Sequence, residues 1–246
     1  MLIIRNLFLA VGIAFLTVWP LASALAQQTP TAQPTPSEAL LTPDNHTLIL
    51  IDHQPQMAFA ANSIPTDQLI NNVTLVAKSA DLFEVPTILT TVAESTFSGP
   101  LFPSVQAVFP EQTPIDRTSM NTWEDVRVTD RVNEIGRKKL VVAALWTEVC
   151  GVYPVLSALA QGFDVYFITD ASGGMTTQIH NDAVQRMIDA GATPITSMQY
   201  LLELQRDWAR GETYVQTNQI VMDHGGAYGL GVLYAKDMFG GGEGGN

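Results

Sequence analysis

The chain contains a single cysteine, Cys150, and its surroundings suggest chemistry. It follows an apolar, β-branched run at residues 140–145, which predicts a buried strand, and it precedes a helix predicted over residues 152–161. A helix N-terminus has free N–H groups and a partial positive charge, which lower the pKa of a thiol. The unpaired thiol is therefore a reactive nucleophile, a buried inert group or a thiol joined to another chain, and its neighbours alone do not decide between these.

Other polar residues follow predicted strands in the same way as Cys150. Asp52, His53 and Gln54 follow the strand at 47–51, and Thr91 and Glu94 end the strand at 86–92. Asp170 similarly ends the strand at 165–169. Because ligands bind beyond the carboxyl ends of parallel strands in an open sheet, we expect these residues to share one edge with Cys150.

The elements that must position these residues alternate along the chain. The predicted strands span residues 47–51, 86–92, 140–145, 165–169 and 193–197, and the predicted helices span residues 65–83, 123–135, 152–161, 179–190 and 200–208. A long irregular stretch follows the second strand. This alternation predicts an α/β fold with a mostly parallel sheet and helices on both faces. Neither a GxGxxG run nor a phosphate-binding P-loop is present, which argues against dinucleotide or nucleotide binding.

The chain divides into four predicted parts. Residues 1–26 resemble a signal peptide, with Arg5, an apolar run at 7–19 and a small-x-small cleavage site at 24–26. Residues 27–45 have the Thr- and Pro-rich composition of a linker, and residues 46–210 form the folded domain. The Gly-rich residues 211–246 are predicted to be a poorly ordered tail, or one that packs on a neighbouring subunit. We therefore expect an exported periplasmic or secreted protein; an uncleaved membrane anchor is the alternative.

Composition limits the partners of this chain. Its 246 residues are 46% hydrophobic, which is enough for a sizeable core, and its formal net charge is −12. Such a polyanion is repelled by nucleic acid and by an anionic membrane surface. After loss of the signal peptide, no other segment is long and apolar enough to anchor the chain in a membrane.

Several of these stretches resemble the isochorismatase-like cysteine hydrolases. The run at 140–150 resembles their nucleophile motif, and the run at 49–54 resembles the motif of their first strand. The YcaC-like subgroup is the nearest resemblance, through Arg117 and the runs at 121–123, 147–150 and 203–208. The resemblance extends in order from about residue 44 to 210, and it implies a three-layer α/β/α sandwich.

The resemblance also implies a catalytic triad. Cys150 matches the nucleophile, which attacks a carbonyl carbon and forms a thioester, and Asp52 matches the acid–base residue that takes the thiol proton. Arg117 stands where most of the superfamily has lysine and the subgroup has arginine. Because arginine stays protonated, its implied role is electrostatic: it favours the thiolate and orients Asp52. The resemblance further implies a cis peptide bond between Trp146 and Thr147, with the N–H groups of Thr147 and Cys150 forming an oxyanion hole.

The implied function is hydrolysis of a C–N bond in a small amide or carbamoyl compound, although the superfamily also cleaves vinyl ethers. Candidate pocket residues are His53, Gln54, Glu94, Trp123 and Trp146. The four histidines lack ligand spacing, so we predict no metal and no cofactor, and family members commonly form homo-oligomers. Two alternatives remain: a catalytically silent binding or scaffolding protein, and a redox-sensing thiol protein.

Overall fold

A computed structural model describes residues 37–239. Its centre is a six-stranded sheet in the order β3-β2-β1-β4-β5-β6, in which every neighbouring pair is parallel. The strands are β1 (His46–Ile51), β2 (Thr87–Val92), β3 (Ile115–Arg117), β4 (Lys139–Ala144), β5 (Asp164–Ile168) and β6 (Thr193–Ile195). The chain order reverses at β1, which has β2 on one side and β4 on the other, so the polar ends of these strands meet at one edge.

Helices flank the sheet and cover its buried strands. All six residues of β1 are buried, as its continuous apolar sequence predicts for a strand covered on both faces. The helices are α1 (Pro55–Ala60), α2 (Thr66–Leu82), α3 (Pro103–Gln106), α4 (Val126–Ile135), α5 (Val152–Ala160), α6 (Thr177–Asp189), α7 (Ser197–Gln205), α8 (Gly211–His224) and α9 (Ala227–Met238). The predicted α/β/α class is confirmed. Among the helices of residues 37–239, none has both the length and the apolar character needed to cross a bilayer.

The edge strand β3 was not predicted, because it lies in the stretch taken as irregular. It has only three residues, and its register pairs Thr90 with Ile115 and Val92 with Arg117. One of its residues is buried and one is exposed, so its sequence contains no apolar run that could mark a strand. Hydrogen bonding to β2, and not an apolar run in its own sequence, therefore makes this segment a strand.

The predicted linker is partly incorporated into the fold. Leu41 is fully buried, and its N–H donates to a carboxylate oxygen of Glu203 at 2.6 Å. Lys139 Nζ donates to the Leu40 carbonyl at 2.8 Å. The linker prediction is therefore wrong for residues 37–45, because these contacts fix the backbone. Residues 27–36 and the predicted signal peptide lie outside the described residues.

The prediction of a poorly ordered tail is also wrong for residues 211–239. They form α8 and α9, and α8 buries Ile220 and Val221. The two helices join tightly: a Cβ on Gly229 would lie closer to the Val221 carbonyl than real Cβ atoms come. Gly225 and Gly229 therefore allow the two helices to join closely, whereas residues 240–246 lie outside the described part.

Candidate active site

Asp52, Arg117 and Cys150 meet at the carboxyl edge of the sheet. Arg117 Nη2 donates to both carboxylate oxygens of Asp52, at 2.7 and 2.6 Å, and the Cys150 thiol forms a hydrogen bond with the same carboxylate. The three residues are 0%, 3% and 2% exposed, respectively. Three stretches that are distant in sequence thus place a sulfur and a guanidinium against one carboxylate.

The turn after β1 aims the Asp52 side chain. Asp52 has φ 59°, a left-handed conformation, and its carbonyl accepts from the Gln54 N–H at 2.8 Å. Its own N–H still donates to the Thr90 carbonyl at 3.1 Å, which extends the pairing with β2 by one residue. Asp52 is therefore the point at which the strand ends and the chain turns, and few non-glycine residues adopt this conformation without a compensating contact.

The Arg117 guanidinium bridges Asp52 and the loop that follows β3. Its Nη1 donates to the Ser119 carbonyl, and its Nε has no hydrogen-bond partner among residues 37–239. Buried charge is tolerated only when it is paired, and here the cation is matched by the Asp52 anion. Arg117 thus neutralises Asp52 and holds the loop at 118–121 over the site.

Burial and charge determine the protonation of the site. Burial raises the pKa of Asp52 to about 6, even though the Arg117 cation acts to lower it. Burial and then the Asp52 anion raise the pKa of the Cys150 thiol well above its ordinary value, and Arg117 only partly offsets this. The prediction that the helix terminus lowers the thiol pKa is therefore wrong. At neutral pH the site holds a thiol beside a carboxylate, which is the arrangement for general-base activation.

A wide helical turn over Thr147–Gly151, here called the cysteine turn, carries Cys150 from β4 into α5. Gly151 fits beneath Phe167, since a Cβ on Gly151 would lie only 3.3 Å from that ring. The Trp146 N–H donates towards the Cys150 sulfur. The backbone immediately before the turn thus directs a donor to the thiol.

The structure corrects two predictions about this turn. The Thr147 N–H donates to the Gly173 carbonyl at 2.9 Å, so it is not free to serve as an oxyanion donor. The cis peptide bond joins Leu145 to Trp146, one position before the predicted place. The donor that faces the thiol is accordingly that of Trp146, whereas the resemblance to the family placed it one residue later, at Thr147.

Residues within α6 and just before it contact the cysteine turn. Thr147 Oγ1 lies 2.8 Å from His180 Nδ1, and a Glu148 carboxylate oxygen accepts from the Met175 N–H at 3.0 Å. Burial lowers the pKa of His180, and the Glu148 anion acts in the opposite direction. These contacts join residues more than twenty positions apart, so no local sequence pattern marks them.

His53 and Gln54, both predicted for the pocket, are buried and hold the backbone. His53 Nε2 lies 2.8 Å from the Ala171 carbonyl, and burial lowers the pKa of His53 to about 4, so the neutral ring donates there. The Gln54 carboxamide accepts from the Val92 N–H at 2.9 Å and donates to the Gly99 carbonyl at 2.5 Å. Both side chains join the β1 turn to neighbouring loops.

The other candidate pocket residues have different surroundings. Trp146 is half-buried beside the thiol, and its indole N–H donates to the Met57 carbonyl at 2.7 Å. Glu94 is half-buried and accepts from the Thr91 hydroxyl at 3.3 Å. Trp123 packs edge-on against Phe163 at 5.6 Å, where α5 has ended and β5 begins. Its role as a pocket wall stays a prediction.

No group of three or more His, Cys, Asp and Glu side chains in the described part of the chain is arranged to hold a metal ion. A cavity of about 400 Å³ adjoins Arg117 and is lined by residues of the β3–α4 segment. It does not reach Cys150, whose thiol is almost covered in a single chain.

Comparison with known proteins identifies relatives of this chain. The family model for the isochorismatase domain matches residues 46–199. "Probable hydrolase YcaC" of Escherichia coli (strain K12) is 38% identical over 162 residues, which cover 65% of this chain and 78% of that protein.

Two solved structures are similar over most of this chain. YcaC from Pseudomonas aeruginosa, solved with hexane-2,5-diol and covalent acrylamide, has a TM-score of 0.76 at 32% identity and covers 84% of this chain and 100% of its own. The Escherichia coli YcaC gene product, described as an octameric hydrolase of unknown specificity, has a TM-score of 0.76 at 33% identity and covers 83% and 100%.

Proposed function

The chain belongs to the isochorismatase domain family and is a hydrolase of that family, and from this premise we propose that it cleaves a C–N bond through a Cys150 thioester. The substrate class is a small amide or carbamoyl compound. The observation that carries the proposal is the buried contact among the Cys150 thiol, the Asp52 carboxylate and the Arg117 guanidinium. A fully buried ion pair beside a lone thiol has a ready explanation in catalysis, since burial alone makes it costly.

The reaction begins with proton transfer. Asp52 accepts the thiol proton as the sulfur attacks the carbonyl carbon, so the thiolate forms only with substrate in place. This order suits a site in which burial disfavours the free thiolate. The C–N bond then breaks as Asp52 returns the proton to the leaving nitrogen, which leaves an acyl group on sulfur. Water, deprotonated by Asp52, attacks the thioester carbonyl; the C–S bond breaks, Asp52 returns the proton to the Cys150 sulfur, and the acid is released.

Arg117 and the backbone stabilise charge during these steps. Both terminal nitrogens of the Arg117 guanidinium are hydrogen-bonded, one to Ser119 and one to Asp52, and the group cannot release a proton. Arg117 therefore keeps the Asp52 carboxylate oriented and balances its negative charge. We assign the oxyanion to the N–H groups of Trp146 and Cys150. Loss of one such donor commonly lowers kcat by about 10²- to 10³-fold.

A panel of small amides and carbamoyl compounds tests the proposal, with ammonia or amine release measured for the wild type, Cys150→Ala and Cys150→Ser. We expect turnover in the wild type and none in Cys150→Ala. Because the chain has one cysteine, a hydroxylamine-sensitive mass increase on the intact protein identifies the thioester directly. Equal turnover in wild type and Cys150→Ala would reject the assignment.

The silent binding protein is the second candidate, and one observation favours it. The Cys150 thiol is 2% exposed and its pKa is raised, so it reacts slowly with reagents unless the site opens. The same observation argues against a redox sensor, whose cysteine is exposed and has a low pKa. Binding of a panel compound without turnover or thioester, unchanged in Cys150→Ala, would support the silent protein.

We also propose that the chain assembles as a homo-oligomer, as its octameric relative does. We further propose that the chain is exported. For export, the test is cell fractionation with N-terminal sequencing of the mature chain. We expect a periplasmic or secreted product beginning at Gln27, and a cytoplasmic product that keeps Met1 would contradict this.

A further inference from the structure

Large apolar side chains surround the proposed reaction site at the carboxyl edge of the sheet. The connections that follow β1, β2, β3 and β5 each expose one of them: Phe59 is 85%, Phe97 62%, Met120 61% and Met175 41% exposed. The connection that follows β4 carries Trp146, which is half-buried beside the thiol. We call these five residues, one from each connection, the apolar rim.

The opposite edge of the sheet exposes less apolar surface. In the described part of the chain before α8, the large apolar side chains exposed at that edge are Leu40, Ile188 and Trp208, and none of them is more than 41% exposed. Single exposed apolar residues are ordinary, whereas a group of them around a site marks an interaction surface. In the rim, apolar exposure coincides with the edge at which parallel sheets bind their ligands.

Hydrogen bonds join three of the connections around α1. The Trp146 indole N–H donates to the Met57 carbonyl of α1 at 2.7 Å. Just after α1, the Asn62 N–H donates to the Gly174 carbonyl at 3.0 Å, and Gly174 directly precedes Met175. The connections after β1, β4 and β5 thus form one continuous border beside the thiol.

The start of α1 contacts the connection after β2. A Cβ added at Gly99 would lie 3.5 Å from the Pro55 ring, and Gly99 directly follows the helical turn Glu94–Ser98, which carries Phe97. At about 100° per residue, Phe59 lies only about 40° from Pro55 around the α1 axis. The two exposed phenylalanines are therefore on neighbouring elements of the same border.

Strand spacing places the rim within reach of one small molecule. β1 and β5 adjoin β4, and β2 adjoins β1, so the ends of these strands lie within about 10 Å of the end of β4, at about 4.8 Å per strand. Met120 lies further along the edge, but Arg117 holds its loop over the site through the Ser119 carbonyl. A substituent of several carbon atoms on a carbonyl at Cys150 can therefore contact the rim.

Charge at this edge disfavours an anionic substituent. Glu94, Asp116 and Glu148 place carboxylates near the ends of β2, β3 and β4. The Arg117 cation does not offset them, because it is already paired with Asp52. The chain as a whole has a net charge of −12, which repels anions further.

We infer that the apolar rim selects the substrate, and that the hydrolase acts on uncharged amides that carry an apolar substituent of several carbon atoms. The inference rests on the proposed function, which supplies the amide and its position at Cys150. The rim covers the substituent and removes it from water. Full burial of a methylene group favours binding about fourfold, so a partly covered chain gains about two- to fourfold per methylene.

Equilibrium binding tests the inference without requiring turnover. Dissociation constants of the linear amides from acetamide to hexanamide are measured by titration calorimetry with the full chain carrying Cys150→Ala. We expect each added methylene to lower the dissociation constant about two- to fourfold. Adipic acid monoamide has as many carbon atoms as hexanamide but ends in a carboxylate, and it should bind at least about tenfold more weakly.

Exposed phenylalanines supply both the test variants and their control. Phe59→Ser and Phe97→Ser, each combined with Cys150→Ala, should reduce the gain to less than about twofold per methylene. Phe239→Ser is the matched control, because Phe239 is 79% exposed and follows α9, outside the rim. Because all three rings are exposed, the melting temperatures of the variants should match that of the parent chain.

Each result separates the rim from the chemistry. Affinity that does not rise with chain length, or that rises equally with and without the rim phenylalanines, would overturn the inference. So would a change in assembled mass of the Phe59 and Phe97 variants by light scattering, since another copy would then cover the rim. Turnover of the amide panel by the wild type with flat affinity rejects the rim alone. Rising affinity without turnover rejects the hydrolysis alone and keeps the rim as a binding surface.

Discussion

At the carboxyl edge of the sheet, Asp52, Arg117 and Cys150 are at most 3% exposed, whereas on α9 large apolar side chains are exposed. The first region buries charge and the second exposes apolar surface, and both arrangements lower the stability of an isolated chain. The contrast shows where the chain departs from simple folding rules. Charged groups are buried where chemistry is proposed, and large apolar groups are exposed on α9.

The largest expected effect comes from breaking the buried pair. Arg117→Met leaves the Asp52 carboxyl buried without its cation and raises the Asp52 pKa further, so we expect a loss of about 3–5 kcal/mol in unfolding free energy and at least about 10²-fold in kcat. Denaturant unfolding and steady-state kinetics measure the two effects. Arg127→Met is the matched control, because Arg127 also pairs with an aspartate, Asp125, at 2.6 Å but is exposed. A similar loss in both variants would mean that burial does not distinguish the two pairs.

Acid should switch off the proposed reaction. Asp52 must be ionised to accept the thiol proton, and its pKa is raised to about 6. We therefore expect kcat/KM to fall about tenfold per pH unit below roughly pH 6 and to level off above it. The Thr90 hydroxyl helps to lower the Asp52 pKa. Thr90→Val should therefore raise that pKa and move the acid-side fall in kcat/KM to higher pH. A profile that is flat from pH 5 to 8 would argue against Asp52 as the base.

A smaller effect is expected from loosening the cysteine turn. Thr147→Val removes the contact with His180 and leaves a partly buried ring nitrogen unpaired, so we expect a loss of about 1 kcal/mol in stability. If the contact positions Cys150, kcat falls while KM changes little. Thr122→Val is the control, because Thr122 is also buried but its hydroxyl has no partner among the described residues. Equal effects of the two substitutions would assign Thr147 a packing role only.

The smallest expected effect concerns how α8 is held on α2. His224 Nε2 accepts from Lys78 Nζ at 2.9 Å, and its Nδ1 donates to Asn71 Oδ1 at 2.9 Å, so the ring must be neutral. Burial and then Lys78 lower its pKa, although Asp223 opposes this. A lowered pKa means that stability present above pH 6.5 is lost as the pH falls.

Partial exposure makes the effect of His224 protonation modest. Between pH 7.5 and 5.5 we expect about 1–2 °C more loss of melting temperature in the wild type than in His224→Gln, which does not titrate. Hydrogen exchange should place the change in α8 and α9. Faster exchange at the carboxyl edge instead would show that the two regions are coupled.

The apolar runs of the sequence predicted the core of the fold. Each of β1, β2, β4 and β5 was found within one residue of its predicted bounds, because a strand buried on both faces must be continuously apolar. The edge strand β3 and the α8–α9 pair were missed. β3 is held as a strand by pairing with β2, α8 is held by packing on α2, and α9 is held by packing on α8. Contacts of this kind leave little pattern in the local sequence.

The sequence by itself determined which chemical groups were available: one thiol, a carboxylate after the first strand, and an arginine matched to a family pattern. Only the tertiary structure decided that all three are buried together, that Trp146 and not Thr147 directs its N–H to the site, and that the thiol pKa is raised. The reason is physical: residue identity fixes the intrinsic chemistry of a group, whereas its pKa and its free donors depend on the charges and hydrogen bonds that distant parts of the chain bring to it.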